Sequence, residues 1–240
     1  MTGITRQLAD FASDLSYDKV PADVASRTKL LILDTAGIMV RARHDAESTP
    51  SLVSAVERLG LAKGECSVLG DVKGYAASAA ALVNGAMAHS LDFDDTHAEA
   101  SLHSSAPIVP AVLAAAEMTG ASGKDVLTAY VAGFETESRI ARAVNFHHYE
   151  KGWHPTTTLG IFGTVAASAL LLGLSEDELH SELARGCSRM SFNQSVWNFA
   201  RIQRAEGRNL ALVTGNADIF REVIVPSHGL DREFDSIVTS

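Results

Sequence analysis

Between Tyr75 and Leu91 this chain of 240 residues is built almost entirely from small side chains: Ala76, Ala77, Ser78, Ala79, Ala80, Ala81, Gly85, Ala86 and Ala88. Small residues let helix axes approach closely, so the stretch predicts a central, tightly packed helix with Met87 and Leu91 providing bulk on its flank. The surrounding periodicity is helical as well. Leu8, Phe11, Ala12 and Leu15 fall at i, i+3, i+4 and i+7, which places them on one helical face. Pro21 opens a second helix, where its missing N–H would be unpaired anyway; this helix carries Val24, Ala25, Leu30, Leu31, Leu33, Ala36 and Ile38. Further helices are expected over 50–59, over 107–119 with Gly120 as the stop, and over 124–144. In the last of these, Ser122 is the cap and Val126, Leu127, Tyr130, Val131 and Phe134 form the buried stripe. Ser175-Glu176-Asp177-Glu178 reads as a capping box that opens a helix ending near Gly186. Only Cys66 to Leu69, between Gly64 and Gly70, reads as extended in the first half. The expected class is mainly α, with a helical domain over 5–186. A tail over 187–240 differs in character: its arginines are scattered, its apolar periodicity is weak, and a short helix is expected around Asp218 to Val223.

Charge and cysteine content narrow the function classes. Lys plus Arg is 20 and Asp plus Glu is 29, a net charge of −9, so no basic footprint exists for nucleic acid. Cys66 and Cys187 are the two cysteines; they cannot build a disulfide framework or a four-cysteine cluster, and a reduced, cytoplasmic setting is expected. Residues 1–10 lack the apolar core of a secretion signal. The most apolar stretch, Leu159 to Leu174, contains Gly160, Gly163 and Gly173. It is shorter than the roughly 20 residues of a spanning helix; it is expected to be a buried helix, and no membrane partner is expected.

The chemistry concentrates in two polar loops. Six of the nine histidines lie between residues 89 and 154: His89, His97, His103, His147, His148 and His154. Imidazole titrates near neutrality and suits proton transfer, although solvated loop histidines are the plain alternative. The first loop, His89-Ser90-Leu91-Asp92-Phe93-Asp94-Asp95-Thr96-His97, holds three carboxylates within four residues. Asp92, Asp95 and Thr96 would share a face if the preceding helix continued. Close carboxylates raise one another's pKa and serve acid–base work or a divalent cation; the alternative is a helix end whose aspartates bond nearby backbone. No EF-hand spacing and no His-Glu-x-x-His occurs, and no metal or cofactor is expected. The second loop leads into Trp153-His154-Pro155-Thr156-Thr157-Thr158. Pro155 pushes His154 out of helical geometry, and the threonines at a helix entrance offer either an anion site or ordinary capping. No P-loop, dinucleotide glycine motif or Gly-x-Ser-x-Gly elbow is present.

The string Ala88-His89-Ser90-Leu91-Asp92-Phe93-Asp94-Asp95-Thr96-His97 resembles the MmgE/PrpD family, which includes 2-methylcitrate dehydratase, cis-aconitate decarboxylase and an iminodisuccinate epimerase. Segments 102–111, 152–157, 162–174, 29–37 and 81–85 are similar to other family segments in the same order, so the resemblance covers about residues 5 to 185. It implies a helical domain that the family joins to a smaller α+β lid, and a metal-independent site in a homodimer. It also implies a site lined at the positions of Asp92, Thr96, His103 and His154. On that basis His103 and His154 are the expected acid and base and Asp92 orients one of them. Thr96, Thr156 and His97 are the expected contacts to a small polycarboxylate. The family's His-Pro-Ser is His103-Ser104-Ser105 here, its Thr-Gly is Thr156-Thr157, and its Thr-Lys-x-x-His segment is not found, Lys151 being the last lysine. The expectation is therefore a lyase that dehydrates or decarboxylates a polycarboxylic acid, with the lid missing. The alternative is a truncated, non-catalytic member acting as a dimerising helical protein or a small-carboxylate binder.

Overall fold

The structure, a computed structural model, describes residues 4–144, 146–175, 194–214 and 225–239. The chain divides into two compact units, one over Leu8–Leu174 and one comprising Met1–Gln7 with Ser175–Ser240. The first unit is mainly α, as expected. After α1 (Ile4–Asp14), α2 (Ala22–Asp45) follows Pro21 directly and α3 (Thr49–Arg58) follows a short turn. Thr49 ties that turn down by donating its hydroxyl to the Ala42 carbonyl at 3.0 Å. The small-residue stretch forms α4 (Ala77–His89), and α5 (Ser105–Thr119) ends on Gly120 at φ +65°. Helix α6 (Gly123–Val144) starts from a reciprocal cap. The Ser122 N–H donates to Asp125 Oδ2 at 2.9 Å and the Asp125 N–H donates to Ser122 Oγ at 3.3 Å, which satisfies two donors that a helix start leaves open. A single turn, α7 (His147–Glu150), precedes α8 (Pro155–Leu172).

Helix α8 packs against α6 and α5, α5 against α4, and α4 against α2. The core between them holds Met39, Val83, Met87, Ile108, Val112 and Tyr130, each large side chain contributing about 1.5–3 kcal/mol on burial. The closest approach is made by glycines: a Cβ at Gly133 in α6 would sit 2.7 Å from the Gly163 carbonyl oxygen in α8.

Two expectations need correcting. Helix α8 is apolar all round, with a mean hydropathy of 1.4 over its 18 residues, but it is not a buried helix. Leu159, Gly163, Ala167 and Leu171 face the core, whereas Ile161, Phe162, Val165 and Leu172 are exposed. The extended segment near Cys66 is also only half of a pair: β1 (Cys66–Ser67) lies antiparallel to β2 (Gly74–Tyr75), with Cys66 opposite Tyr75. The helix expected from Tyr75 begins two residues later because Gly74 and Tyr75 are held in that ladder.

The described part of the second unit contains α9 (Gln194–Ala205), β3 (Ala211–Thr214), α10 (Val225–His228), α11 (Leu230–Glu233) and β4 (Ser236–Thr239). Strands β3 and β4 are parallel, Ala211 opposite Ser236. Val225 and Leu230 are buried there with Trp197, Leu212, Phe234 and Ile237 against them. Arg201 pairs with Glu233 and Arg204 with Asp235. The capping-box residues 176–178, Cys187 and the helix expected at 218–223 lie outside the described residues.

Candidate active site

Helix α4 stops at His89, so the acidic string that follows is loop, not helix. Asp92, Asp95 and Thr96 therefore do not share a helical face. Asp92 takes a left-handed backbone at φ +55° and Ser101 at φ +50°, conformations that non-glycine residues adopt rarely and that cluster at functional sites. The His97 N–H donates to the Leu102 carbonyl at 2.8 Å and closes the loop. Each acid then has a different task. Asp95 Oδ1 accepts the Ser105 N–H at 3.0 Å at the start of α5, and burial raises its carboxyl above the usual range. Asp92 stays exposed at the rim. Asp94 is the buried one.

The Asp94 side chain has no solvent exposure. Its Oδ2 lies 2.8 Å from His89 Nδ1 and 3.2 Å from His103 Nδ1. The first contact is a hydrogen bond; the second is off line for one, and both Asp94 Oδ1 and His103 Nδ1 are buried without a hydrogen-bond partner. A third imidazole comes from the residue that caps the start of α8. His154 is extended (φ −85°, ψ 111°), as the following proline requires. The His103 and His154 rings stack with centroids 6.3 Å apart, and His89 lies 4.8 Å from His103 and 6.0 Å from His154. Burial first, then the neighbouring His89 and His103, holds the His154 pKa below the ordinary imidazole value. The two loops are locked together where the His103 N–H donates to Thr156 Oγ1 at 2.9 Å. His103, His154, Thr156 and Asp92 thus converge.

Thr96 and His97 lie elsewhere. They line an open groove of about 920 Å³ between α2 and α6, with Arg27, Asp95, Tyr130 and Phe134. The His97 ring lies 6.0 Å from that of Phe134, and its Nδ1 accepts the Ala100 N–H at 3.2 Å. His148 bonds Thr158 Oγ1 at 2.7 Å and stacks on Trp153, so it fastens the second loop.

Three groups escaped the sequence reading as site residues: His89, Asp94 and Glu137. Glu137 on α6 is fully buried, and the nearby Ser104 hydroxyl does not reach either carboxyl oxygen with full hydrogen-bond geometry. Burial above all, opposed by the Ser104 hydroxyl and reinforced by Asp95, pushes its pKa up to about 9. Its Oε2 faces Gly163 of α8, where a Cβ would collide with it. A signal for it existed: Leu127, Tyr130, Phe134 and Glu137 continue one helical stripe at spacings of three and four, so a charged residue falls on the buried face.

Residues 6–212 match the family model described as MmgE/PrpD N-terminal domain. Similar curated proteins include the cis-aconitate decarboxylase-like protein oryM of Aspergillus oryzae, 34% identical over 196 residues that cover 78% of this chain and 40% of that protein. The cis-aconitate decarboxylase of Aspergillus terreus is 34% identical over 196 residues, covering 78% and 39%. That of Homo sapiens is 31% identical over 193 residues, covering 77% and 39%. The chain thus spans about two fifths of the length of these relatives.

Proposed function

The chain belongs to the MmgE/PrpD family, and from that premise we propose that it carries the acid–base face of a lyase acting on a small polycarboxylic acid, by decarboxylation of a cis-aconitate-type substrate or dehydration of a 2-methylcitrate-type one. The observation that carries the reading is the imidazole array: His103 and His154 stacked 6.3 Å apart, with the buried Asp94 carboxylate beside His103. In a decarboxylation the C–C bond to a carboxylate breaks, its electron pair stays on carbon, carbon dioxide leaves, and an acid delivers a proton to that carbon. In a dehydration a base removes the C–H proton and an acid protonates the departing hydroxyl. Either reaction needs two proton-transfer groups on one substrate. His154, whose pKa is lowered by burial and by the neighbouring His89 and His103, suits the base, and His103 beside Asp94 suits the acid. Thr156 is anchored by the His103 N–H and keeps its own hydroxyl proton for a substrate carboxylate; Asp92 at the rim orients. Thr96 and His97 would meet substrate only from the α2–α6 groove.

In this reading the protein is cytoplasmic and works as a homodimer. It is tested by incubating the purified chain with cis-aconitate, citrate and 2-methylcitrate and following carbon dioxide release and ultraviolet absorbance of the unsaturated product. Turnover that falls about 10²–10⁴-fold in His103→Ala and in His154→Ala is the expected result. Full turnover in both variants would overturn the role assignment. A second reading is a helical dimerising protein or carboxylate binder without turnover, since Arg139 and Arg142 of the first unit are engaged by Glu135 and Glu99. A carboxylate-induced thermal shift without turnover would select the binder.

A further inference from the structure

We propose that Glu137 is a positioning residue for the acid–base pair: its buried carboxyl sits between the His103 segment and α8 and fixes the spacing of His103 and His154. The three consecutive residues that lead into α5 are each held from a different side. The His103 N–H donates to Thr156 Oγ1 in the first turn of α8 at 2.9 Å. The Ser105 N–H donates to Asp95 Oδ1 at 3.0 Å, and Ser105 Oγ lies 2.6 Å from the Tyr130 hydroxyl of α6. Ser104 between them is fully buried, with its hydroxyl beside the Glu137 carboxyl. Neither group has another hydrogen-bond partner. The same carboxyl meets α8 on its other side. A Cβ at Gly163 would lie 2.9 Å from its Cδ, and one at Gly160 would lie 3.8 Å from its Oε2. Glu137 thus touches both segments that carry the stacked imidazoles.

Leucine would fill this space without burying a polar group, so packing alone does not account for an acid here. Burial above all, with Ser104 opposing and Asp95 reinforcing, raises the Glu137 pKa to about 9. The carboxyl therefore keeps its proton at neutral pH and offers one donor and one acceptor to the Ser104 hydroxyl. Acids perturbed by burial cluster at functional sites, and a closed polar contact fixes its neighbours more narrowly than apolar packing does. Ser104 follows His103 directly, so what fixes Ser104 also fixes the His103 backbone. The stack of His103 on His154, 6.3 Å between centroids, is then set by one side chain of α6 that meets neither substrate nor imidazole. The kinetic part of this inference rests on the acid–base reading; the geometric part does not.

The full chain is compared with Glu137→Leu, Glu137→Gln and Ser104→Ala, each shown to be folded by circular dichroism. The imidazole C2–H resonance of His154, assigned by its loss in His154→Ala, is titrated without substrate. In the parent its midpoint should lie below 6.5, because burial and the nearby His89 and His103 depress it. Glu137→Leu keeps the volume and removes the polar contact. His103 should then move off the stack, and the His154 midpoint should rise by about half a pH unit or more. Glu137→Gln stays uncharged and keeps a donor and an acceptor, so it should leave the midpoint in place. In turnover Glu137→Leu should lose about 10–10²-fold in kcat with KM little changed, and Glu137→Gln should restore it. A residue that only stabilised the fold would shift the melting temperature and leave the midpoint where it was. An unmoved midpoint in folded Glu137→Leu overturns the inference, as does a Glu137→Gln variant that behaves like Glu137→Leu. If Glu137→Leu does not fold, Ser104→Ala removes the other half of the contact and decides by the same midpoint. Absence of turnover in the parent overturns the lyase reading instead and leaves the titration to judge Glu137.

Discussion

Glu137 is held as a neutral acid inside the helical unit, and its ionisation is the clearest residue-level link between pH and stability. Its proton is retained to about pH 9 in the folded protein against an ordinary value of 4.5. Between those limits the folded chain binds one more proton than the unfolded chain, so raising the pH lowers stability. The full slope is about 1.4 kcal/mol per pH unit, and the loss stops above the folded value. Glu137→Gln removes this slope. Thermal melts should therefore coincide for parent and variant near pH 4.5 and separate in favour of the variant at pH 8; parallel curves would refute a buried neutral acid. His154 links pH to the proposed chemistry in the opposite sense. Because its pKa is depressed, the acid limb of kcat/KM should lie below the ordinary imidazole value of 6.5. His89→Ala, which removes one of the neighbours that depress it, should move the limb upward, and an unmoved limb would assign it to another group. The sequence exposed the histidines and acids because their types and spacing are visible there. It did not show which acid is buried: that depends on where α4 ends, and the chain turns at Asp92 through a backbone conformation that no local pattern signals.

At the scale of elements, glycine separates helices that touch from helices that do not. A methyl at Gly133 would lie 2.7 Å from the Gly163 backbone carbonyl, and backbone in the middle of α8 has no room to retreat. Gly133→Ala should destabilise by about 1–3 kcal/mol and push α8 away from α6, lowering proposed turnover as well, since His154 directly precedes α8. Gly37 in α2 has nothing within 4 Å of the equivalent position. There alanine only restricts the unfolded chain, so Gly37→Ala should raise stability by about 0.5–1 kcal/mol. Chemical denaturation of the pair checks both signs together, and a stabilised Gly133→Ala would mean that α6 and α8 are not in contact. The helices of the first unit were readable because small-residue runs, Pro21, Ser122 and Gly120 mark them directly. Strand β2 was not, because two residues cannot show an alternating period. Helix α9 was not, because Trp197, Phe199 and Ile202 are set among polar residues and, of these three, only Trp197 joins the small cluster around Val225 and Leu230.

At the scale of the whole molecule, the balance between core and surface is what the sequence conveyed least. Apolar periodicity finds helices, but in α8 every face is apolar, so no pattern distinguishes the side that packs from the side that does not. The first unit leaves Ile161, Phe162, Val165 and Leu172 of α8 exposed, and Leu30, Leu33 and Val40 of α2 likewise. Exposed apolar side chains of this kind favour association, because covering them releases water at no cost in buried charge. The net charge of −9 opposes close approach only over a Debye length of about 8 Å in physiological salt, so the apolar term should dominate at moderate ionic strength. The chain should therefore run as a dimer or larger species by light scattering at micromolar concentration, and added salt should strengthen rather than weaken the association. Placing a charge in the α8 patch separates this from nonspecific aggregation. Phe162→Glu is half exposed and outside the imidazole array, so it should shift the population toward monomer while leaving the helical circular dichroism unchanged. A parent chain that is monomeric at every concentration would show that these faces need no cover, and a salt-weakened dimer would assign the contact to charge pairs instead.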